Sequence, residues 1–320
     1  MLQYTTNLIL SFILLLFTHA TLFASGYNIS IQLNTTADSV YYLAHYNGDR
    51  VFMSDTARAD EAGGIRFTGK EALPGGVYIL VSAEKAKLLE FIIDKDQQFQ
   101  IEMPAHKGTG EIIVKGSDEN TLFFKHIRLS NKMGELAEKR KQQEQASTMD
   151  ESLIRAQLDS LRHEIQILRD SIIRLYPDRL LGKLLLAMKD VPIPDSLQNQ
   201  SDKAYRFYKD NYWNHTDLAD DRLLRTPILP GKLRTYFDQL VPPQADSIIR
   251  AVDHILERTT DGSLLQSFLV WHFTTEYQNP KIMGLEKVFV HLADHYFAKK
   301  EIANTSIALF FLSKLQTLNG

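Results

Sequence analysis

The chain has 320 residues, 44% of them hydrophobic and 23% charged, the make-up of a globular protein with room for about two domains. A formal net charge of −3 gives no concentrated basic surface, so nucleic-acid binding is not expected. The absence of cysteine excludes disulfides, thiolate nucleophiles, C-x-x-C redox pairs and cysteine metal sites.

The opening residues, MLQYTTNLILSFILLLFTHATLFASG, carry no Lys, Arg, Asp or Glu and hold an apolar run from Leu8 to Phe17. A membrane-spanning helix needs about 20 apolar residues, so this run fits the core of a secretory signal, with cleavage after Ala20 or Ala24. No basic side chain precedes the core, which leaves an uncleaved anchor as the competing reading. Export to the periplasm or envelope is expected, with residues 1–24 removed and no integral span afterwards. Without disulfides, the exported chain must be held by its apolar core, which its length allows.

A period of two follows. Tyr27, Ile29, Ile31 and Leu33 alternate with polar residues, which predicts a strand with one dry face. Val40 to His45 leads through Asn47-Gly48-Asp49, a hairpin turn, to Val51–Met53. Ile65 and Phe67, Val77 to Val81, Leu89 to Ile93, Phe99 to Met103 and Ile112 to Val114 bring the total to about eight short strands. Turn residues at this spacing predict a small sandwich over residues 25–116. Asn28 and Asn34 stand in N-glycosylation patterns.

From Ser117 the period becomes helical. Ser117 can cap a helix that opens with Asp118 and Glu119 and ends in the polar run from Glu138 to Gln145. Thr148 and Glu151 have capping-box spacing for a second helix. Its apolar residues Ile154, Leu158, Leu161, Ile165, Leu168, Ile172 and Leu175 repeat at intervals of 4 and 3, a heptad seam. The seam can pack on the preceding helix of the same chain or form a homodimer through Ile154, Leu158, Leu161, Ile165, Leu168 and Ile172. Further helices are expected at Leu180–Met188, around Lys203–Tyr212, after Pro242-Pro243 through Leu256, at Leu264–Tyr277, from Leu285 to Tyr296 and from about Asn304 to Leu318. The fold class is α+β and multidomain: an antiparallel sandwich, then an all-α domain over 117–320, divided into a hairpin (117–176) and a bundle (177–320).

Candidate chemistry is sparse. His291 and His295 share a helix face, but Leu292 stands where a zinc-peptidase helix would carry its glutamate, so a half-buried helix shoulder is the plainer reading. Asp217, Asp220 and Asp221 could bind a hard cation. They could equally cap a short helix from Asp220 to Arg225 that Thr226-Pro227 ends, and pair with Arg222 and Arg225. No nucleophile elbow, phosphate loop or dinucleotide fingerprint is present, so no catalytic residue and no cofactor are assigned. Asp-Ser or Asp-Thr before an apolar residue recurs at Ser39, Thr56, Ser160, Ser171, Ser196 and Ser247, a pattern shared by O-glycosylation acceptors and helix starts.

Several phrases carry a family resemblance. YYLAHYNGDRVFMSDTARADEAGGIRFTG, LPGGVYIL and FIIDKDQQFQIEM in the β part, with HTDLADDRLLRTPILPGKLRTYFDQL and KIMGLEKVFVHLADHYF in the helical part, resemble exported thiol-disulfide oxidoreductases of the thioredoxin-like, TlpA type from Gram-negative envelopes. The resemblance covers their N-terminal β domain and helical domain, both of unknown function. The thioredoxin-like domain would begin about where this chain stops, and no redox residue carries over. The resemblance implies a non-enzymatic accessory module, with Asp217, Asp221, Arg222, Arg225 and Pro227 as a family-signature surface and a thioredoxin-like or other envelope protein as partner. A truncated oxidoreductase whose redox half lies downstream, and a metal-dependent hydrolase using His291, His295 or the aspartates, are the alternatives.

Overall fold

Alternating apolar residues build two four-stranded sheets in the computed structural model, which describes residues 26–33, 35–103, 112–146 and 151–297. The first sheet has the order β4 (Gly64–Thr68), β1 (Asn28–Gln32), β7 (Gln98–Glu102), β8 (Ile113–Lys115). The second has the order β3 (Arg50–Arg58), β2 (Val40–Asn47), β5 (Gly76–Ser82), β6 (Lys87–Ile93). All pairings are antiparallel except β1 with β7, which run parallel from Asn28↔Gln98 to Gln32↔Glu102. Ile29, Ile31, Phe67 and Ile101 of one sheet meet Leu43, Leu80, Phe91 and Ile93 of the other in a dry core, the layered packing that a wet-dry alternation demands.

The outer face of the second sheet is dry in part. Val77 and Ile92 leave the sandwich core and join that of the helical domain, with Tyr46 packed beside them. Strand β3 extends to Arg58, five residues beyond the apolar stretch that announced it. It is an edge strand, mostly exposed, with a bulge opposite Leu43/Ala44, so polar residues serve as well as apolar ones there.

Among the described residues the second part holds eight α-helices: α1 (Asp118–Ala146), α2 (Glu151–Leu175), α3 (Leu180–Ala187), α4 (Ser201–Asn211), α5 (Ile228–Thr235), α6 (Ala245–Leu256), α7 (Leu264–Gln278) and α8 (Glu286–Leu292). Helix α1 starts as expected, with the Asn120 N–H donating to Ser117 Oγ. It lies along α2, whose Leu161 and Ile165 close on Leu129, with Met133, Leu136 and Leu168 alongside. Ile154, Leu158 and Ile172 are buried too, so α1 and the bundle of the same chain already cover the heptad seam. A homodimer through those residues would require the hairpin to open.

Helix α5, which continues as a π-turn Tyr236–Leu240, was not expected. Pro230 and Gly231 argue against a helix, yet proline is tolerated in a first turn. The stripe of Leu229, Leu233, Tyr236 and Leu240, all buried, was the available signal. The signal segment, the Asn34 pattern, the Thr148 cap and the helix from about Asn304 lie outside the described residues.

Candidate functional site

The stretch Tyr212–Pro227 is the joint between the two domains. Asp220 caps a 3-10 turn, Asp221–Arg225, by accepting from the Arg222 backbone N–H at 3.0 Å. That turn aims Arg222 at the loop after β6. Its Nη1 donates to both carboxylate oxygens of Asp94, at 2.8 and 2.9 Å, while Nε and Nη2 donate to Asp220, Nη2 at 2.6 Å. The Asp94 and Asp220 side chains are only 8% and 12% exposed, so two buried carboxylates share one guanidinium. Burial alone would raise the Asp220 carboxyl, but hydrogen bonds from Arg222 and Lys183 outweigh it and hold the group down at about 2.

Neighbouring contacts extend the clasp. Lys183 of α3 donates to Asp217 at 2.8 Å and Asp220 at 2.6 Å. The N-terminus of α3 receives carboxylates from outside the bundle: Leu180 N–H donates to Asp94 and Leu181 N–H to Glu119. Arg179 lies 3.0 Å from Asp96. Asn120 grips the β6 backbone through both the N–H and the carbonyl of Ile92. Gly75 and Gly76 let β5 pass beneath the arginines, because a Cβ on Gly76 would stand 2.5 Å from Arg225 Cβ.

Asp217 and Asp220 converge on an ammonium and a guanidinium. Asp221 points the other way and accepts from the Leu264 and Leu265 N–H groups at the start of α7. Arg225 approaches Gly76 with its β-carbon, and Pro227 precedes α5. His291 and His295 stack 4.2 Å apart, but His291 Nε2 is matched to Asp253 at 2.8 Å and His295 to the His291 carbonyl. Tyr296 donates to the same Asp253 oxygen, tying α8 to α6. Among the described residues no three His, Asp or Glu side chains gather where they could hold a metal ion.

Glu119 makes the clasp pH-dependent. Burial pushes its carboxyl from 4.5 up to about 7; the Leu181 N–H pulls against that and Asp94 adds to it. A carboxyl that titrates higher folded than unfolded removes stability as pH rises between those two values and has no further effect above them. The unfolding free energy of the wild type relative to Glu119→Gln is therefore expected to fall between pH 4.5 and 7.5 by on the order of 2–3 kcal/mol. Parallel pH profiles in urea titrations would refute this role.

Beside the clasp lies a cleft that the sequence reading missed. It encloses about 730 Å³ between the β2–β3 hairpin tip, α5 with its π-turn, and α7. The tip is seated by the Gly48 N–H on the Leu224 carbonyl at 2.9 Å. Gly48 has φ of +63°, and a Cβ there would stand 2.2 Å from the Phe268 ring. Phe237, Phe268, His272 and Phe273 form an aromatic wall, with His272 stacked on Phe268 at 5.8 Å and Phe237 5.1 Å from Phe273. Burial keeps the His272 imidazole below its ordinary pKa, and burial with Glu276 and Asp238 pushes the Tyr277 phenol up to about 12. The cleft's volume lies in the range of about 300–1,000 Å³ typical of ligand sites, which concentrate at domain junctions, and the aromatic wall is accompanied by five charged residues, Asp49, Arg234, Asp238, Glu276 and Lys281. No motif points to the cleft, because its residues, Asp49 and a set scattered from Pro230 to Leu285, follow no fixed spacing.

Comparison with known proteins assigns both halves without assigning a role. Residues 132–308 match a family profile described as Domain of unknown function (DUF5106), and residues 27–123 match Domain of unknown function (DUF4369). No curated protein and no solved structure matches the chain. The clasp joins the two matched regions: Asp94 and Glu119 fall within 27–123, Arg179 and Arg222 within 132–308.

Proposed function

The chain belongs to the family of the domain of unknown function DUF5106, and from that premise we propose that it is a non-enzymatic binding module of the cell envelope that receives its ligand in the cleft between its domains. The observation that carries this reading is the joint construction of the cleft. The sandwich supplies Asp49 at the hairpin tip, the helical domain supplies the aromatic wall and the other lining residues, and a buried ion cluster holds the two domains together. A site built across a rigid junction is preorganised, which favours recognition. Among the described residues no helix is long and apolar enough to cross a membrane. The signal-like opening supports export, and the phrases shared with TlpA-type proteins make a thioredoxin-like envelope protein the partner class we infer. The chain, having no cysteine, would recognise such a partner without exchanging electrons with it.

The test is cell fractionation with site-directed crosslinking. A photoreactive side chain at Met283, 98% exposed beside the cleft, is expected to give a discrete adduct in the envelope fraction, whereas one at exposed Glu61 on the sandwich gives none. A wholly cytosolic chain, or identical adducts from both positions, would overturn the proposal.

A further inference from the structure

The charges around the cleft specify what enters it. In the clasp every charged group has a partner. Among the described residues, by contrast, no hydrogen bond or ion pair engages the side chains of the cleft's Asp49, Asp238, Glu276, Arg234 or Lys281. Three carboxylates, Asp49, Asp238 and Glu276, stand against two cations, Arg234 and Lys281, so the lining is net negative. Asp49 and Glu276 act on the His272 ring, and Glu276 and Asp238 on the Tyr277 phenol, which ties the carboxylates to the aromatic wall. A net negative lining beside aromatic faces favours an ammonium or guanidinium laid against a ring. The molecule already shows this arrangement internally, where Lys232 Nζ sits 4.3 Å above the Tyr212 ring.

The lips of the cleft extend the contact. Ile282 lines it at 51% exposure, with Met283 following. On the hairpin Val51, two residues beyond Asp49, pairs with Tyr46, whose ring packs on the helical core, so Val51 faces the helical side and stays exposed. Large exposed apolar side chains next to cleft-lining residues reach beyond a small molecule and suit a chain crossing the cleft. Resting on the proposed binding role, we infer that the cleft takes a basic side chain of a polypeptide partner, Lys or Arg flanked by apolar or aromatic residues, with the cation against the aromatic wall and among Asp49, Asp238 and Glu276.

Three probes test this on the whole protein by imidazole NMR, with the His272 signal assigned from its loss in His272→Gln. Acetyl-Phe-Lys-Phe-amide is expected to shift the His272 signal saturably, more tightly than phenethylammonium, and phenylpropionate is expected to leave it unmoved. Asp238→Asn/Glu276→Gln, two exposed surface changes, should weaken the peptide by about three- to tenfold. Tighter binding of phenylpropionate would overturn the cationic ligand and leave the binding cleft standing. Equal binding of the free amine and the peptide would overturn the polypeptide partner. No shift with any probe would overturn both inference and binding role, the cleft then belonging to another occupant such as residues 298–320 or a second copy.

Discussion

Replacing Arg222 by alanine is expected to lower stability by about 3–5 kcal/mol and to separate the unfolding of the two domains. The magnitude follows from what the change leaves behind. Asp94 and Asp220, both buried and both oriented by the guanidinium, would lose the counter-charge they share. The Nη2 donation to the Asp178 carbonyl would go as well. Lys183 can compensate Asp220 in part, since it already touches it at 2.6 Å, but Asp94 keeps only the Leu180 N–H. Because this guanidinium bridges the domains, its loss should also weaken their coupling. Both tryptophans, Trp213 and Trp271, lie in the helical domain. Tryptophan fluorescence and far-ultraviolet circular dichroism should therefore trace one denaturation curve in the wild type and two in the variant. Asp94→Asn alone should be milder, and Arg222→Ala in that background should cost less than in the wild type. Coincident curves with a loss below about 1 kcal/mol would show the pair to be a solvated contact.

How far this joint was legible depends on distance along the chain. The Asp220 cap was readable because cap and capped amide are two residues apart. The Asp94 partner was not, standing 128 residues away. The three aspartates were open to a cation site or to a cap with local ion pairs, and the structure has Asp220 facing the clasp while adjacent Asp221 faces α7. Strand periodicity exposed the sandwich because one face of each sheet is dry. It understated β3, whose edge position tolerates Ser54, Asp55 and Thr56. The seam of α2 was visible as a repeat, and the structure supplies α1 as its partner. The cleft left no local signal, since apart from Asp49 of the hairpin it is lined by residues of α5, the π-turn, α6, α7 and the segment to Leu285, which the packing of the helical domain brings together.

Trp213→Ala is expected to lose about 3–5 kcal/mol, the range for emptying a fully buried aromatic site. Trp213 is 0% exposed and ringed by Tyr212 at 5.3 Å and Tyr236 at 5.5 Å, with the Lys232 ammonium 5.6 Å from its ring. These neighbours belong to α5 and to the loop that leads into the clasp, so the cavity cannot close without moving one or the other. Trp213→Phe separates volume from polarity. The indole Nε1 is buried without a hydrogen-bond partner, and an unmatched buried donor costs about 1–3 kcal/mol. Phenylalanine removes that donor along with part of the ring, so its loss should be less than half that of alanine. Equal losses would mean that the indole N–H is satisfied and that the orphaned donor has no energetic weight. The alanine variant should further admit water to Lys232, whose pKa burial now lowers, and return it toward its ordinary value. Since Trp213 and Arg222 sit on one loop-and-turn segment, their combined loss should fall short of the sum. A strictly additive double variant would show that the aromatic cage and the ion clasp stabilise the joint independently.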